Sequence, residues 1–140
     1  MNPKNTLCLI VDIQERLLPA LSGADEMVER CRLLIQGLTA LDIPFAVTEQ
    51  YPKGLGNTVS AVSLLLPEGT PVVEKTRFSA FLPEIQEILR KNDIKNVILV
   101  GAEAHICMLQ TALDLKAQGY AVSLPFECTA SRTTANRDTG

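Results

Sequence analysis

Short apolar runs that alternate with amphipathic segments restrict the fold of this chain more than any other feature of its sequence. The first run, residues 6–11 (TLCLIV), is apolar almost throughout and ends at Asp12. Such a run is typical of a strand that is buried on both faces of a parallel sheet. Further strands are predicted at residues 43–48, 71–74, 96–100 and 120–126.

Helices are predicted between these strands. The segment from about 24 to 41 carries apolar side chains at alternating spacings of four and three, and its cap is expected near Ser22 or Asp25. A second helix begins near Pro83, and a third covers about residues 106–118. Strands that alternate with helices of this length pair in parallel through crossover connections. The sequence therefore predicts an α/β fold with three layers, in which helices cover both faces of an open parallel, Rossmann-like sheet.

Length, charge and hydropathy limit the organisation and the partners of the chain. With 140 residues, of which 46% are hydrophobic and 21% charged, it fits a single domain over residues 1–140. The formal net charge is -3 and neither sign forms a long block, so no nucleic-acid partner is expected. The apolar runs are far shorter than the ~18 residues of a membrane span, and no export signal begins the chain. We therefore expect no membrane association and a cytoplasmic location.

The cysteines and the single histidine limit metal and redox chemistry. Cys8, Cys31 and Cys128 are interpreted as small buried hydrophobic residues, because the sequence has neither a CxxC pair nor an export signal. His105 forms only an H-x-C pair with Cys107, which excludes a zinc site built from several imidazoles. We expect no structural metal and no cofactor.

Three chemically useful side chains follow three of the predicted strands. Asp12 ends the first strand, Lys75 follows the third, and Cys107 lies shortly after the fourth. Because ligands of open α/β sheets bind at the carboxyl ends of the strands, these side chains are expected to meet at one edge. Each residue alone also has a structural explanation: a buried thiol, a solvated lysine and a capping or turn-forming aspartate.

Together these side chains match the needs of nucleophilic acyl transfer. A cysteine reacts as its thiolate, so it needs a cation, a base or a helix N-terminus nearby. Cys107 lies in the first turn of a predicted helix, where unpaired N–H groups favour an anion. Lys75 can stabilise the thiolate, while Asp12 can accept the thiol proton and later protonate a leaving amine.

Three separated segments resemble the isochorismatase-like hydrolase superfamily, also called the cysteine hydrolases. They are Asp12-Ile13-Gln14, residues 74–81 (EKTRFSAF), and residues 100–107 (VGAEAHIC) followed by Thr111-Ala112, in the order and approximate spacing of the family. The loop 48–56 (TEQYPKGLG) further resembles the isochorismatase domain-containing branch. The resemblance runs from residue 6 to the end of the chain.

The resemblance implies a catalytic triad of Asp12, Lys75 and Cys107 that acts on a small-molecule substrate. It also implies a cis peptide bond between Ala102 and Glu103, and an oxyanion hole formed by the backbone N–H groups of Glu103 and Cys107. Because family members usually assemble, a homo-oligomer is expected. Substrate contacts are expected from five residues near the strand ends: Gln14, Gln50, Tyr51, Phe78 and His105.

Departures from the family narrow the expected substrate. Nicotinamidases hold a metal in the loop after the second strand, and this loop has no histidine, so a nicotinamidase is not expected. True isochorismatases lack the cysteine found here at position 107, so isochorismate is not the expected substrate either. We expect hydrolysis of a small amide or related C–N substrate through a covalent thioester. The family normally continues past Ser131 with another helix and a last strand, so the domain is expected to be C-terminally incomplete, without that helix and strand.

Other classes of protein fit the sequence less well. A dinucleotide-binding domain needs a glycine-rich turn after its first strand, and residues 12–16 contain no glycine. A phosphoryl-receiving domain needs further acidic residues for Mg²⁺ beside Asp12, for which only Glu15 and Glu49 are candidates. The remaining alternative is a non-enzymatic member of the fold: a scaffold, or a thiol-based binding or sensor protein with an oxidisable Cys107.

Overall fold

The computed structural model describes residues 2–130, except for the side chains of residues 104, 105, 126 and 130. The expected loss of a C-terminal helix and strand concerns residues beyond this range. In chain order the elements are β1 (Thr6–Val11), α1 (Ala24–Ala40), β2 (Phe45–Gln50), α2 (Pro52–Leu55), α3 (Ser60–Ser63), β3 (Val72–Lys75), α4 (Pro83–Lys91), β4 (Asn96–Ala102), a π-helical turn (Ala104–Met108), α5 (Leu109–Ala117), β5 (Ala121–Ser123) and β6 (Thr129–Ala130).

The strands form one sheet in the order β3-β2-β1-β4-β5, and every pairing between these named strands is parallel. β1 lies at the centre, so that Ile10 is opposite Val47 on one side and Val100 on the other. All residues of β1 are buried, as expected for a central strand covered on both faces. The three-layer α/β prediction is therefore confirmed.

Two apolar clusters lie on opposite faces of the sheet. Cys8 and Ile10 of β1 belong to the cluster that packs against α1, whereas Leu7, Leu9 and Val11 belong to the cluster that packs against α4 and α5. This division follows from the strand geometry, because successive side chains point to opposite faces. The central strand is thus fixed on both sides, and the residue that follows it is held in a defined position.

The four cysteines are free thiols and are buried. Cys8, Cys31 and Cys128 lie in the α1 cluster, which confirms their interpretation as buried core residues. Cys107 lies in the other cluster.

No helix in the described part of the chain is long and apolar enough to cross a membrane.

Several element ends differ from the sequence prediction. β2 covers 45–50 instead of 43–48, because its last residues, Glu49 and Gln50, pair with β3 at Glu74 and Lys75. A loop was predicted at these positions because polar residues end the apolar run there. The pairing partner that keeps them extended cannot be recognised from this segment alone.

Three further elements also differ from the sequence prediction. The cap of α1 is Gly23, with φ 70°, instead of Ser22 or Asp25; glycine adopts this left-handed conformation without steric cost. β5 covers only 121–123 instead of 120–126, since the chain turns into a 3₁₀ helix at Phe126–Cys128 and then pairs with β4 again as β6. The helix predicted over 106–118 begins as the π-helical turn and continues as α5.

Candidate active site

Asp12, Lys75 and Cys107 meet at the carboxyl edge of the sheet, as predicted. Asp12 follows β1, Lys75 is the last residue of β3, and Cys107 lies in the π-helical turn after β4. The Nζ atom of Lys75 lies 2.8 Å from Oδ2 of Asp12 and 3.7 Å from Sγ of Cys107. The parallel topology brings these residues together because the three strands end at the same edge.

The ammonium group of Lys75 is buried and fully surrounded by acceptors. It donates hydrogen bonds to the carbonyl oxygens of Arg77 at 2.9 Å and Phe78 at 2.8 Å, and to Oε1 of Gln50 at 2.8 Å. The side chains of Lys75 and Asp12 are only 0% and 1% exposed. An ion pair without solvent contact is costly unless its other hydrogen bonds are made, and these contacts supply them.

The carboxyl group of Asp12 has two oxygens in different surroundings. Oδ1 accepts a hydrogen bond from Oγ1 of Thr48 at 2.9 Å, whereas Oδ2 contacts Lys75 and accepts no well-aligned hydrogen bond within the described part of the chain. Burial raises the pKa of Asp12, while the charge and the close N–H contact of Lys75, and then hydrogen bonds from Thr48 and Cys107, act in the opposite direction. A carboxylate with a raised pKa is a stronger base than an exposed one.

The surroundings of Cys107 favour the neutral thiol. Burial raises the pKa of Cys107 and the neighbouring Asp12 raises it further, while Lys75 and the backbone N–H of Glu103 lower it. From the sequence, the cation and the helix start were expected to favour a thiolate. In the structure burial outweighs both, because the thiol sits in the apolar cluster and the turn around it is π-helical. A reaction at this thiol would therefore need a base, and the carboxyl group of Asp12 faces it.

Gln14 and Gln50 were both predicted to contact substrate. In the structure the side chain of Gln14 binds the backbone of Gln50 at the end of β2. Nε2 of Gln14 donates to the carbonyl oxygens of Gln50 at 2.9 Å and Gly56 at 2.8 Å, and Oε1 of Gln14 accepts from the N–H of Gln50 at 2.7 Å. Gln14 is completely buried. The structure thus places Gln14 behind the site and Gln50 beside Lys75.

The other predicted substrate contacts lie at the rim or outside the described side chains. Tyr51 and Phe78 are exposed, at 59% and 60%. The structure describes the backbone of His105 but not its side chain. A cavity of about 360 Å³ opens at this edge, and Tyr51, Lys75 and Arg77 are among its lining residues. Cys107 and Asp12 do not line it, so the cavity reaches Lys75 and lies beside the other two residues.

The segment that leaves β4 carries the predicted backbone feature. The peptide bond between Ala102 and Glu103 is cis, which confirms the expectation taken from the family resemblance. Gly101 precedes it with φ 125° and lies against β1, where an added Cβ atom would overlap the carbonyl oxygen of Val11. The close approach of the two central strands therefore requires glycine at this position.

Two threonines support the site, and the sequence assigned them no role, although both lie in segments that resemble the family. Besides Thr48, the hydroxyl of Thr111 donates to the carbonyl oxygen of Cys107 at 2.5 Å and accepts from the N–H of Ala80 at 2.8 Å. Thr111 thereby joins the segment after Lys75 to the turn that carries Cys107. Its position four residues after Cys107, one helical turn along, was the signal that could have identified it.

The sequence profile of the isochorismatase domain matches residues 6–140 of this chain. The chain belongs to the isochorismatase family. Isochorismatase domain-containing protein 1 of Salmo salar is 40% identical over 136 residues, which are 96% of this chain and 47% of the relative. Isochorismatase domain-containing protein 2 of Rattus norvegicus is 32% identical over 135 residues, covering 96% of this chain and 63% of the relative. The chain thus spans about half the length of the first relative and less than two thirds of the second.

Two solved structures are similar to the described structure. The MAR1 ribonuclease from Caenorhabditis elegans has a TM-score of 0.94 at 40% sequence identity, covering 99% of this chain and 71% of that chain. An isochorismatase-like hydrolase from Alkaliphilus metalliredigens has a TM-score of 0.85 at 20% identity, covering 96% of this chain and 79% of that one. At that identity the second similarity concerns the fold alone.

Proposed function

We propose that this isochorismatase-family protein is a cysteine-dependent hydrolase of a small amide or related C–N substrate. The supporting observation is the burial of an acid, an amine and a thiol together at the carboxyl edge of the sheet. A buried ion pair is a poor way to stabilise a fold, because apolar residues of similar size serve equally well or better. Charged groups held together in this way are typical of a functional site.

The proposed reaction begins at the thiol. Sγ of Cys107 attacks the substrate carbonyl carbon while Oδ2 of Asp12 takes the thiol proton, and a C–S bond forms. The positive charge of Lys75 stabilises the anionic site during this transfer. The backbone N–H groups of Glu103 and Cys107 are proposed to bind the oxyanion, and the N–H of Glu103 already faces the thiol.

The second half of the reaction returns the site to its starting state. The C–N bond breaks, the leaving amine takes the proton from Asp12, and a thioester to Cys107 remains. A water molecule then attacks the thioester carbonyl and gives a proton to Asp12. The acid product leaves as Cys107 recovers its proton, so that Asp12 serves alternately as base and acid.

The substrate is proposed to enter from the cavity beside the triad. Its lining combines the exposed ring of Tyr51 with positive charge on Lys53 and Arg77 and negative charge on Glu74 and Glu84. A volume of about 360 Å³ suits a small molecule. Because the lining charges are mixed, a polar substrate that is not a polyanion fits best.

The test uses intact-mass spectrometry with a panel of small amides, ureides and related C–N compounds. A substrate should leave an acyl adduct, which peptide mapping locates at Cys107. Cys107→Ala should abolish both adduct and hydrolysis, and Cys107→Ser should lose most of the hydrolysis, because a hydroxyl is much harder to deprotonate than a thiol. Cys31→Ser is the matched control, since Cys31 lies on the other face of the sheet.

Hydrolysis that survives Cys107→Ala would contradict the thioester mechanism. Failure of the whole panel to form an adduct or a product would favour the alternative of a non-enzymatic scaffold or thiol sensor. In that case oxidation of Cys107 by peroxide, measured by mass, becomes the relevant property.

A second candidate function is RNA cleavage, because the similar C. elegans structure is of a ribonuclease. The cavity also offers Lys53, Arg77 and an exposed tyrosine ring, groups that contact phosphate and stack on bases. A labelled single-stranded RNA tests it under the same conditions. Cleavage at rates above those of the amide panel would replace the small-molecule proposal.

The homo-oligomer expected from the family stays a prediction. Leu109 and Leu113 are exposed one turn apart on α5. Sedimentation equilibrium measures the assembly directly, and a monomer at all concentrations would contradict it.

A further inference from the structure

The geometry around Lys75 separates its hydrogen bonds from its ion pair. An ammonium group has three N–H donors. Three neutral acceptors lie at 2.8–2.9 Å from Nζ: Oε1 of Gln50 and the carbonyl oxygens of Arg77 and Phe78. Sγ of Cys107 at 3.7 Å and Oδ2 of Asp12 at 2.8 Å compete with these acceptors for the same three donors. Of these contacts of Nζ, the one to Oδ2 is the one without hydrogen-bond alignment.

This arrangement leaves Oδ2 of Asp12 in an unusual state. The oxygen is buried beside a positive charge, yet none of the described residues directs a well-aligned N–H or O–H to it. The thiol of Cys107 faces the same carboxyl group. The lone pairs of Oδ2 are therefore available for the thiol proton.

Gln50 is the one acceptor of the three that belongs to a side chain. Two carbonyl oxygens of the chain after β3 are fixed by the backbone, whereas Oε1 of Gln50 depends on a half-buried side chain. Gln14 fixes the backbone of Gln50 from both sides, through its Oε1 and Nε2 atoms. Gln14 itself has no exposed surface.

We propose that Gln50 is a positioning residue of the reaction: by accepting one N–H of Lys75 it keeps that donor away from Oδ2 of Asp12. Gln14 positions Gln50 in turn. This role rests on the proposed hydrolase function, since it matters only if Asp12 takes the proton of Cys107. It assigns both glutamines to the support of the base, although both were expected to contact substrate.

Gln50 affects which of two residues, Asp12 or Cys107, carries the one proton that they share. In one form Asp12 is charged and Cys107 is a thiol; in the other Asp12 is protonated and Cys107 is a thiolate. A hydrogen bond from Lys75 to Oδ2 would stabilise the first form and reduce the reactive second form. Lys75 from β3 and Cys107 from the π-helical turn are the ionisable groups that face Asp12, and Thr48 of β2 is its uncharged partner.

The experiment measures the alkylation rate of Cys107 by iodoacetamide as a function of pH, and it needs no substrate. Peptide mass analysis separates Cys107 from the other three cysteines. In the unmodified protein the shared proton should give a rate that is nearly constant around neutral pH. Gln50→Met has a similar length but no acceptor, and should lower this neutral rate about tenfold, the effect of one added charge-assisted hydrogen bond to the carboxylate. At high pH, where both groups are deprotonated, the rates should converge.

Two further variants test the cause. Gln50→Glu keeps an acceptor for Lys75 and should be alkylated faster than Gln50→Met at neutral pH. Gln86→Met makes the same chemical change on α4, where Nε2 of Gln86 donates to the carbonyl oxygen of Phe81, and should leave the profile unchanged. Far-ultraviolet circular dichroism and thermal unfolding verify that each variant is folded.

The proposal is overturned if Gln50→Met keeps the neutral rate within twofold, or if Gln50→Glu is as slow as Gln50→Met. It is also overturned if Gln50→Met slows alkylation equally at all pH values, which indicates a general loss of access. These outcomes are distinct from failure of the proposed function. In that case the unmodified protein itself shows no adduct with any substrate and no neutral-pH reactivity at Cys107.

Discussion

At the scale of single residues, the site combines a buried charge pair with a buried thiol. Asp12 and Lys75 are shielded from water, and their charges balance each other at 2.8 Å. Such a pair adds little to stability as a whole, but removal of one member leaves the other as an isolated buried charge. Substitution of one residue should therefore destabilise the fold much more than substitution of both.

We expect Lys75→Met to destabilise the fold at neutral pH by about 3 kcal/mol, because Asp12 becomes an unpaired buried carboxylate. Lys75 lowers the pKa of Asp12, so its loss raises the already raised value further. The folded state then binds the proton more tightly than the unfolded state, and stability should recover as the pH falls through the folded pKa. Urea unfolding at mildly acidic and neutral pH measures this change.

The double variant Asp12→Asn/Lys75→Met is the control. It carries no buried charge, so it should regain most of the lost stability and show little of this pH dependence. Equal instability of the single and double variants would indicate that the lost hydrogen bonds of Lys75 matter more than the unpaired charge. Both variants should be inactive, which separates stability from function at this site.

The residues of the triad could be predicted from the sequence because each follows an apolar run, and parallel strands end at one edge. The role of Gln50 could not be predicted in this way. It depends on the register between β2 and β3, in which Gln50 lies opposite Lys75. A polar residue after an apolar run predicts a loop. Only the pairing with β3 shows that Gln50 is extended.

At the scale of elements, β4 and the turn after it carry the strictest requirement of the fold. Gly101 pairs with Val11. Asp12 follows Val11 directly, and Cys107 lies in the turn that follows β4. A side chain at this position would separate the two strands. The sequence signals the turn through its glycine, but not which backbone atom approaches it.

We expect opposite outcomes for alanine at two glycines. Gly101→Ala should destabilise the fold by about 3 kcal/mol or more, because Cβ overlaps the backbone of β1 and φ is 125°. Gly37→Ala, in the last turn of α1 with open space around it, should stabilise the fold by up to about 1 kcal/mol. Thermal or urea unfolding of the two variants compares them directly. A neutral effect of Gly101→Ala would mean that the strands tolerate a wider separation than the structure shows.

At the scale of the whole molecule, the α/β order of the chain was predictable from periodicity, and the family from three short segments. The extent of β5 and the presence of β6 were not. Two or three residues carry too little periodicity, and both strands depend on pairing with β4. Long-range pairing therefore decides the details that local pattern leaves open.

We expect activity, once a substrate is found, to be unaffected by chelators. The chain contains one histidine, and the described residues hold no cluster of three or more His, Cys, Asp or Glu side chains suited to a metal. The proposed chemistry draws its nucleophile, positive charge and base from Cys107, Lys75 and Asp12. Dialysis against EDTA followed by a rate measurement checks this. Activity that is lost with EDTA and restored by zinc would show that the mechanism is wrong.

The central position of β1 has a consequence for how the chain reaches its final state. β1 is made first during synthesis, but one of its two neighbours, β4, begins about 90 residues later, so pairing between them is a long-range event of the kind that slows folding. Until β4 has left the ribosome, one edge of this largely apolar strand has no partner. Asp12 likewise cannot contact Cys107 until β4 and the turn after it have been synthesised. The central strand that makes the finished site rigid thus makes the nascent chain dependent on protection from aggregation.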